Sequence, residues 1–227
     1  MSYVFQFGIV WDHWPKLLEG AWLTLRLSAA SLLLGLALSV ALAFGRRDGP
    51  RWVRALVGAY VEVIRNTPFL VQLFILYFTL PALGLRMDAW QAALIGMALN
   101  FAGYGCEIVR SGMEAVPRGQ LEAARALGLT PLRIFRHVVA PQAIAIAWPA
   151  LASQAVLLML GSSLVSAISV EELTAVTNSL QSTTFRSFEF YFVATALYLV
   201  MALALRVALD GLHWALFRRG RPVERRQ

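Results

Sequence analysis

Glu122-Ala123-Ala124-Arg125-Ala126-Leu127-Gly128-Leu129-Thr130-Pro131 is a polar, basic stretch lying between segments apolar enough to cross a bilayer. Glu122 to Leu127 are good helix formers, with small residues on one side. Gly128 is suited to end that helix as a left-handed cap, because it carries no Cβ. Thr130 then stands at an N-cap position, with Pro131 first in the next helix. The stretch continues through Phe135 to Pro141-Gln142-Ala143. It predicts a short helix, a sharp bend and a second, amphipathic helix, all held at a membrane surface.

Composition explains why a surface of that kind is needed. The chain has 227 residues, of which 59% are hydrophobic and only 15% charged, with a mean hydropathy of +0.63. A soluble domain carries roughly 25% charged residues. A shortfall of this size predicts an all-α integral membrane protein, since a lipid-facing surface cannot carry solvating charge. The length leaves no room for a sizeable soluble domain beside several spans. Cys106 is the only cysteine, so no intrachain disulfide or thiolate metal site is expected, and it reads as a small packed residue. A net charge of +7 fits basic loops on one side of a membrane and does not call for nucleic acid.

Working outward gives three segments. Residues 1–16 hold Phe5, Phe7, Trp11 and Trp14, a density of aromatics that suits a membrane interface on the periplasmic side. Residues 17–217 form the membrane domain, with spans at about 17–44, 53–80, 89–109, 144–169 and 190–217 and the polar loop at about 118–140. Residues 218–227 are a basic tail that reads as a cytoplasmic anchor. The first apolar run is too long for a cleavable signal, and the residues before it are not basic, so it is expected to be a permanent span.

Polar residues inside these spans mark where protein, rather than lipid, must lie. Arg26 in the first span either pairs or snorkels, or else faces a solute path. The second span contains Tyr60, Glu62, Arg65, Asn66, Thr67, Pro68 and Gln72. Pro68 should kink or break it, freeing the carbonyl near residue 64. Asn100, Tyr104, Glu107 and Ser111 recur on one face of the third span, as interhelical hydrogen bonds or as a pathway lining. Glu107 has Arg65 and Arg110 as candidate partners. The fourth span should be entered through Pro141 and softened at Pro149. Ser162, Ser166 and Ser169 share a face there, and read as close helix packing or as path. Residues 171–189 read as a polar connection. Arg206 and Asp210, four apart in the last span, are expected to pair.

Alternating five spans from an outside N-terminus puts Arg46, Arg47, Arg51 and Arg54, then Arg110, Arg118, Arg125, Arg133 and Arg136, then Arg218, Arg219, Arg221, Arg225 and Arg226 on the inner side. The outer side keeps only Lys16, Arg86 and Arg186. Positive charge resists translocation, so this asymmetry predicts an outside N-terminus and a cytoplasmic C-terminus, with Glu122 to Pro131 in the cytoplasm. No G-x-x-x-x-G-K-[ST], H-E-x-x-H or G-x-S-x-G is present, and His13, His137 and His213 are scattered. No catalytic or metal-ligating residue is therefore expected. Five spans are also few to wall a pathway, which points to a second copy or a close relative beside the chain.

Glu122, Ala123, Ala124, Gly128 and Pro141 match the E-A-A, three residues, Gly pattern with a later Pro, and so resemble the EAA loop of permease subunits of bacterial ATP-binding-cassette (ABC) importers. Tyr60, Glu62, Arg65, Thr67, Pro68 and Gln72 are similar to the second-span signature of the polar amino-acid members. Tyr104-x-x-Glu107-Ile108-x-Arg110, followed by Gly119-Gln120-x-Glu122-Ala123-Ala124, also looks like that subfamily. Leu160, Gly161 and Ser162 depart from it where relatives carry a charged or imidazole side chain and a Thr; Ser163-Leu164 is kept.

The resemblance implies a type I ABC importer (MetI-like) transmembrane fold with a five-helix core, in the bacterial inner membrane. It implies import of a polar amino acid, or a related solute such as an opine, driven by ATP and Mg on a separate ATPase subunit. A periplasmic solute-binding protein and a second permease subunit would complete the assembly, with no cofactor on this chain. Glu122, Ala123, Ala124, Gly128 and Pro141 would couple to the ATPase. Gln72, Asn100, Tyr104, Ser162 and Ser163 would line the solute path, and Glu62, Arg65, Thr67 and Pro68 would shape the second span. The rivals are a self-sufficient channel or secondary carrier, and a scaffold with no pathway.

Overall fold

The computed structural model describes residues 3–217; Met1, Ser2 and the basic tail 218–227 lie outside them. The described residues are almost wholly helical and contain no strand. A short α1 (Gly8–Asp12) leads into α2 (Trp14–Asp48), then α3 (Arg51–Asn66) and α4 (Phe69–Phe74), which runs on as a π turn, Ile75–Thr79, and a 3-10 turn, Leu80–Leu83. Next are α5 (Ala89–Glu114), α6 (Arg118–Ala126) and α7 (Pro131–Ile134). A π turn, Phe135–Val139, joins α7 to α8 (Ala140–Gly161), and a 3-10 segment, Ser162–Ile168, extends α8. The chain closes with α9 (Leu173–Thr184) and α10 (Ser187–Phe217).

Among the described residues, four helical stretches are long and apolar enough to cross a membrane: Trp14–Asp48, Ala89–Glu114, Pro131–Ile168 and Ser187–Phe217. The second predicted span differs from an ordinary span. It is a pair of helices bent by 111° between Asn66 and Phe69, counting as a fifth crossing only if the pair is taken together. Pro68 is the reason. It has no N–H to continue α3, and it pushes Thr67 into extended backbone, φ −119 and ψ 144.

Three further expectations need correction. The helix starting at Pro131 is not separate from the fourth span; it flows through the π turn into α8. Pro149 does not interrupt α8, which continues past it to Gly161, as happens where neighbouring helices support a membrane proline. Residues 171–189, read as a connection, contain α9. Its N-cap is Glu172, whose carboxylate accepts from Ala175 N–H at 3.0 Å.

α5 is the central helix. Its small residues let α2 and α8 approach backbone to backbone, the usual basis of helix association in lipid. At Gly105 an added Cβ would meet the Ser39 side chain of α2, and at Gly112 it would lie 2.6 Å from the Ala143 carbonyl of α8. Buried apolar residues form three clusters along the bundle. The middle one gathers Leu27, Leu73, Met97, Phe101 and Leu158. One end gathers Val10, Leu17, Met159, Leu173 and Phe190. The other gathers Ala43, Val61, Cys106, Met113, Ala124 and Ile134, so α6 is packed into the same core as α2, α3 and α5.

Candidate functional site

The finger formed by α6 and its turn has two faces. Ala124 is buried in the end cluster, while Glu122, Ala123 and Ala126 are exposed and Leu127 is 80% exposed. The turn is a complete left-handed cap. Gly128 has φ 74, its N–H donates to Arg125 O at 2.9 Å, and Leu129 N–H donates to Ala124 O at 3.2 Å. Those two bonds satisfy carbonyls that a helix end otherwise leaves open. Thr130 does hold the N-cap position before Pro131, but its hydroxyl caps nothing. Gln142 Nε2 donates to Gln120 Oε1 at 2.6 Å, which ties α6 to α8. Glu122, Ala123, Ala124 and Gly128 thus sit on one finger. Pro141 does not; it lies at the start of α8, just after the π turn. Because it offers no N–H to the preceding turn, a widened turn there is expected.

The second-span residues converge on the break. Pro68 leaves the Ile64 carbonyl without its helical donor, and Gln72 supplies one: Nε2 lies 2.9 Å from Ile64 O. The same nitrogen is 3.2 Å from Thr67 O and 2.9 Å from Thr67 Oγ1, while Thr67 Oγ1 donates to Val63 O at 2.7 Å. Gln72 Oε1 in turn accepts from Asn100 Nδ2 at 3.0 Å. One amide therefore closes the broken turn and joins it to α5. Asn66 Nδ2 bonds Glu62 Oε2 at 3.0 Å, and the Arg65 guanidinium lies over the Tyr104 ring at 5.7 Å.

Asn100 and Tyr104 open into a cleft of about 270 Å³, which is also lined by Phe69, Gln154, Leu158 and Gly161. Ser162 and Ser163 are elsewhere. Ser162 is fully buried and donates to Met159 O at 2.6 Å, and Ser163 donates to Leu160 O at 2.9 Å. Gln154 was not singled out from the sequence. The signal was there: residues 154, 157, 158 and 161 fall on one helical face, and all four line this cleft.

Glu107 bridges α5 and α2. It pairs with Arg110 at 2.8 Å and with Arg46 at 3.1 Å, and Arg110 also holds Glu114 at 2.6 Å. Of the two partners considered, Arg110 is used and Arg65 is not; Arg46 was not foreseen. Arg26 lies over the Trp90 ring at 5.9 Å. Arg206 and Asp210 are paired at 3.4 Å. Cys106 is fully buried.

Sequence reasoning missed the carboxylates at the opposite end. Glu172, fully buried, accepts from Tyr198 OH at 2.5 Å and from Thr24 Oγ1 at 3.4 Å. Burial pushes its carboxyl above the usual range, against the opposite pull of these donors. This network joins α9 to α2 and α10. Glu189, also buried, accepts from Tyr3 OH and from Gln6 N–H, and so ties the N-terminal segment to α10.

The family profile "Binding-protein-dependent transport system inner membrane component" matches residues 27–221. The chain is 38% identical to the nopaline transport system permease protein NocM of Agrobacterium fabrum, covering 84% of this chain and 83% of that protein. It is 32% identical to the glutamine transport system permease protein GlnP of Escherichia coli K12, covering 92% and 96%. Among solved structures, an amino acid ABC transporter chain crystallised with histidines matches at a TM-score of 0.87 and 33% identity, covering 96% of this chain and all of that one. A chain of the MetNI methionine ABC transporter in an inward-facing form matches at 0.74 and 24% identity, covering 91% and 99%, which supports the fold.

Proposed function

The chain belongs to the binding-protein-dependent transport system inner membrane component family, and from that premise we propose that it imports a polar amino acid or an opine as the permease of an ABC importer. It is a multi-pass inner-membrane transport subunit with the type I importer fold. The solute class is taken from the similar nopaline and glutamine permeases. A separate ATPase would bind and hydrolyse ATP with Mg, a binding protein would deliver the solute, and a second permease subunit would complete the pathway wall. The basic residues of the α2–α3 turn, the α5–α8 connection and the tail favour a cytoplasmic C-terminus and an outside N-terminus.

The observation that carries the coupling role is mechanical. α6 shows Glu122, Ala123 and Leu127 to solvent while Ala124 is locked into the bundle core. A subunit gripping the exposed face would move the buried face with it, and α8 along with that through the Gln120–Gln142 bond and the turn at Gly128. The Asn100–Tyr104 cleft is the proposed solute path, with Gln154 on its opposite wall. Ser162 and Ser163 then act as helix-packing serines.

Reconstitution in proteoliposomes tests this reading. With the partner ATPase and binding protein, hydrolysis should be stimulated by solute and stopped by vanadate, and solute should accumulate. Accumulation without the ATPase would instead establish a channel or secondary carrier. No solute-dependent hydrolysis with all subunits present would leave the scaffold reading.

A further inference from the structure

A second cavity, of about 520 Å³, lies between the end of α2 and the finger. Its walls are apolar: Phe44 of α2, Leu121 of α6, and Ile134 and Phe135 of the segment leading into α8. Phe44 and Phe135 pack edge to face, centroids 5.1 Å apart. Two arginines line it, Arg47 of α2 and Arg125 of α6, with one carboxylate, Asp48. Asp48 engages Arg47 Nε at 3.4 Å, while the terminal nitrogen Nη1 of Arg47 is buried with no hydrogen-bond partner among the described residues. Arg125 is exposed and forms no ion pair among the described residues.

We propose that this cavity binds the phosphodiester headgroup of an anionic membrane lipid. Depth, charge and shape all point to that ligand. Phe44 closes the apolar run of α2, and Arg47 follows it by one turn, so the cavity straddles the level where acyl chains give way to headgroups. Two guanidiniums against one carboxylate leave a single positive charge, which matches a phosphodiester monoanion better than a multiply charged free phosphate. The aromatic and aliphatic wall suits the glycerol and first methylenes of a lipid, and offers nothing to a soluble anion. Basic pockets between helices at the inner membrane face are a recurring lipid-headgroup chemistry. The headgroup would bridge α2 and α6 and stiffen the finger against the bundle. The inference stands apart from the identity of the transported solute.

The test uses the complete transporter, with its ATPase, in nanodiscs of phosphatidylglycerol mixed with phosphatidylcholine, and reads retained lipid by native mass spectrometry. Phosphatidylglycerol should stay bound to the wild type. The double variant R47Q/R125Q should retain it roughly 30-fold less, about five- to sixfold per arginine. R133Q/R136Q, which removes two exposed arginines outside the cavity, should retain it fully. Arg125→Glu alone, on an exposed helix face, gives the same loss without risk to folding. Equal retention in R47Q/R125Q and wild type would overturn the site, and displacement by excess inorganic phosphate would overturn the lipid as its ligand. Retention is read without transport, so either failure leaves the importer reading intact.

Discussion

Replacing Gln72 by Leu removes one amide and little volume, and so isolates what that amide does at the Pro68 break. Its four bonds differ in weight. The Ile64 carbonyl is part-buried, so losing its donor costs about 1–2 kcal/mol. The part-buried Asn100 amide loses its acceptor, for about another 1 kcal/mol. The Thr67 groups are exposed and can turn to water. Together the loss is about 2–3 kcal/mol, which at about 2–4 °C per kcal/mol lowers the unfolding midpoint by about 5–10 °C. The assay is thermal unfolding of the purified permease in detergent. Gln72→Glu keeps an oxygen for Asn100 but sets its other oxygen against the Ile64 and Thr67 carbonyls, acceptor to acceptor, and should be at least as damaging as Leu. Adding Pro68→Ala to Gln72→Leu returns a backbone N–H that can reach the Ile64 carbonyl, so the pair should be less damaging than the sum of the single changes. A midpoint for Gln72→Leu within about 1 °C of wild type would mean that the carbonyl never depended on the amide, and the account of the break would be wrong.

Gly128→Ala should fold and assemble, because nothing lies within 4 Å of the added Cβ. It strains a left-handed residue by about 1–2 kcal/mol, so the ATP spent per solute imported should rise, with Gly128→Asn milder; an unchanged ratio would show that the turn does not transmit. Gly105→Ala should cut the yield of folded protein, since its Cβ would sit 2.9 Å from Ser39 Cβ and closer still to the hydroxyl, and Ser39→Gly in the same chain should restore it; failure of the rescue would place the strain elsewhere. Tyr104→Ala and Asn100→Ala should each reduce uptake of labelled solute at normal expression, the Asn100 change with some loss of stability as well. Normal uptake would remove that residue from the path.

What could be read in advance follows the range of the interactions involved. The finger and its turn were legible because Gly128, Thr130 and Pro131 act within a few residues of chain. The break at Pro68 was legible for the same reason, but its repair was not. Gln72 reaches back eight residues and across to α5, which no periodicity encodes. Helix α9 was missed because Ser, Thr and Glu give its segment the composition of a loop. Leu173, Val176, Thr177 and Leu180 nevertheless keep helical spacing, and three of the four are buried. The serines at 162 and 163 were open to two readings, packing or path, for a different reason. A hydroxyl in a helical span can satisfy itself on a carbonyl three residues back, and both do so.

The unbroken run from Pro131 to Ile168 spans 38 residues. At about 1.5 Å per residue it is a rod of roughly 57 Å, nearly twice the hydrocarbon thickness of about 30 Å. An upright rod of that length would carry its foot beyond the apolar slab, and under the proposed coupling a push there would swing the far tip through an arc set by the ratio of the two arms. The widened turn at Phe135–Val139 lies near the foot, so any slack there would be multiplied at the far tip by the same ratio.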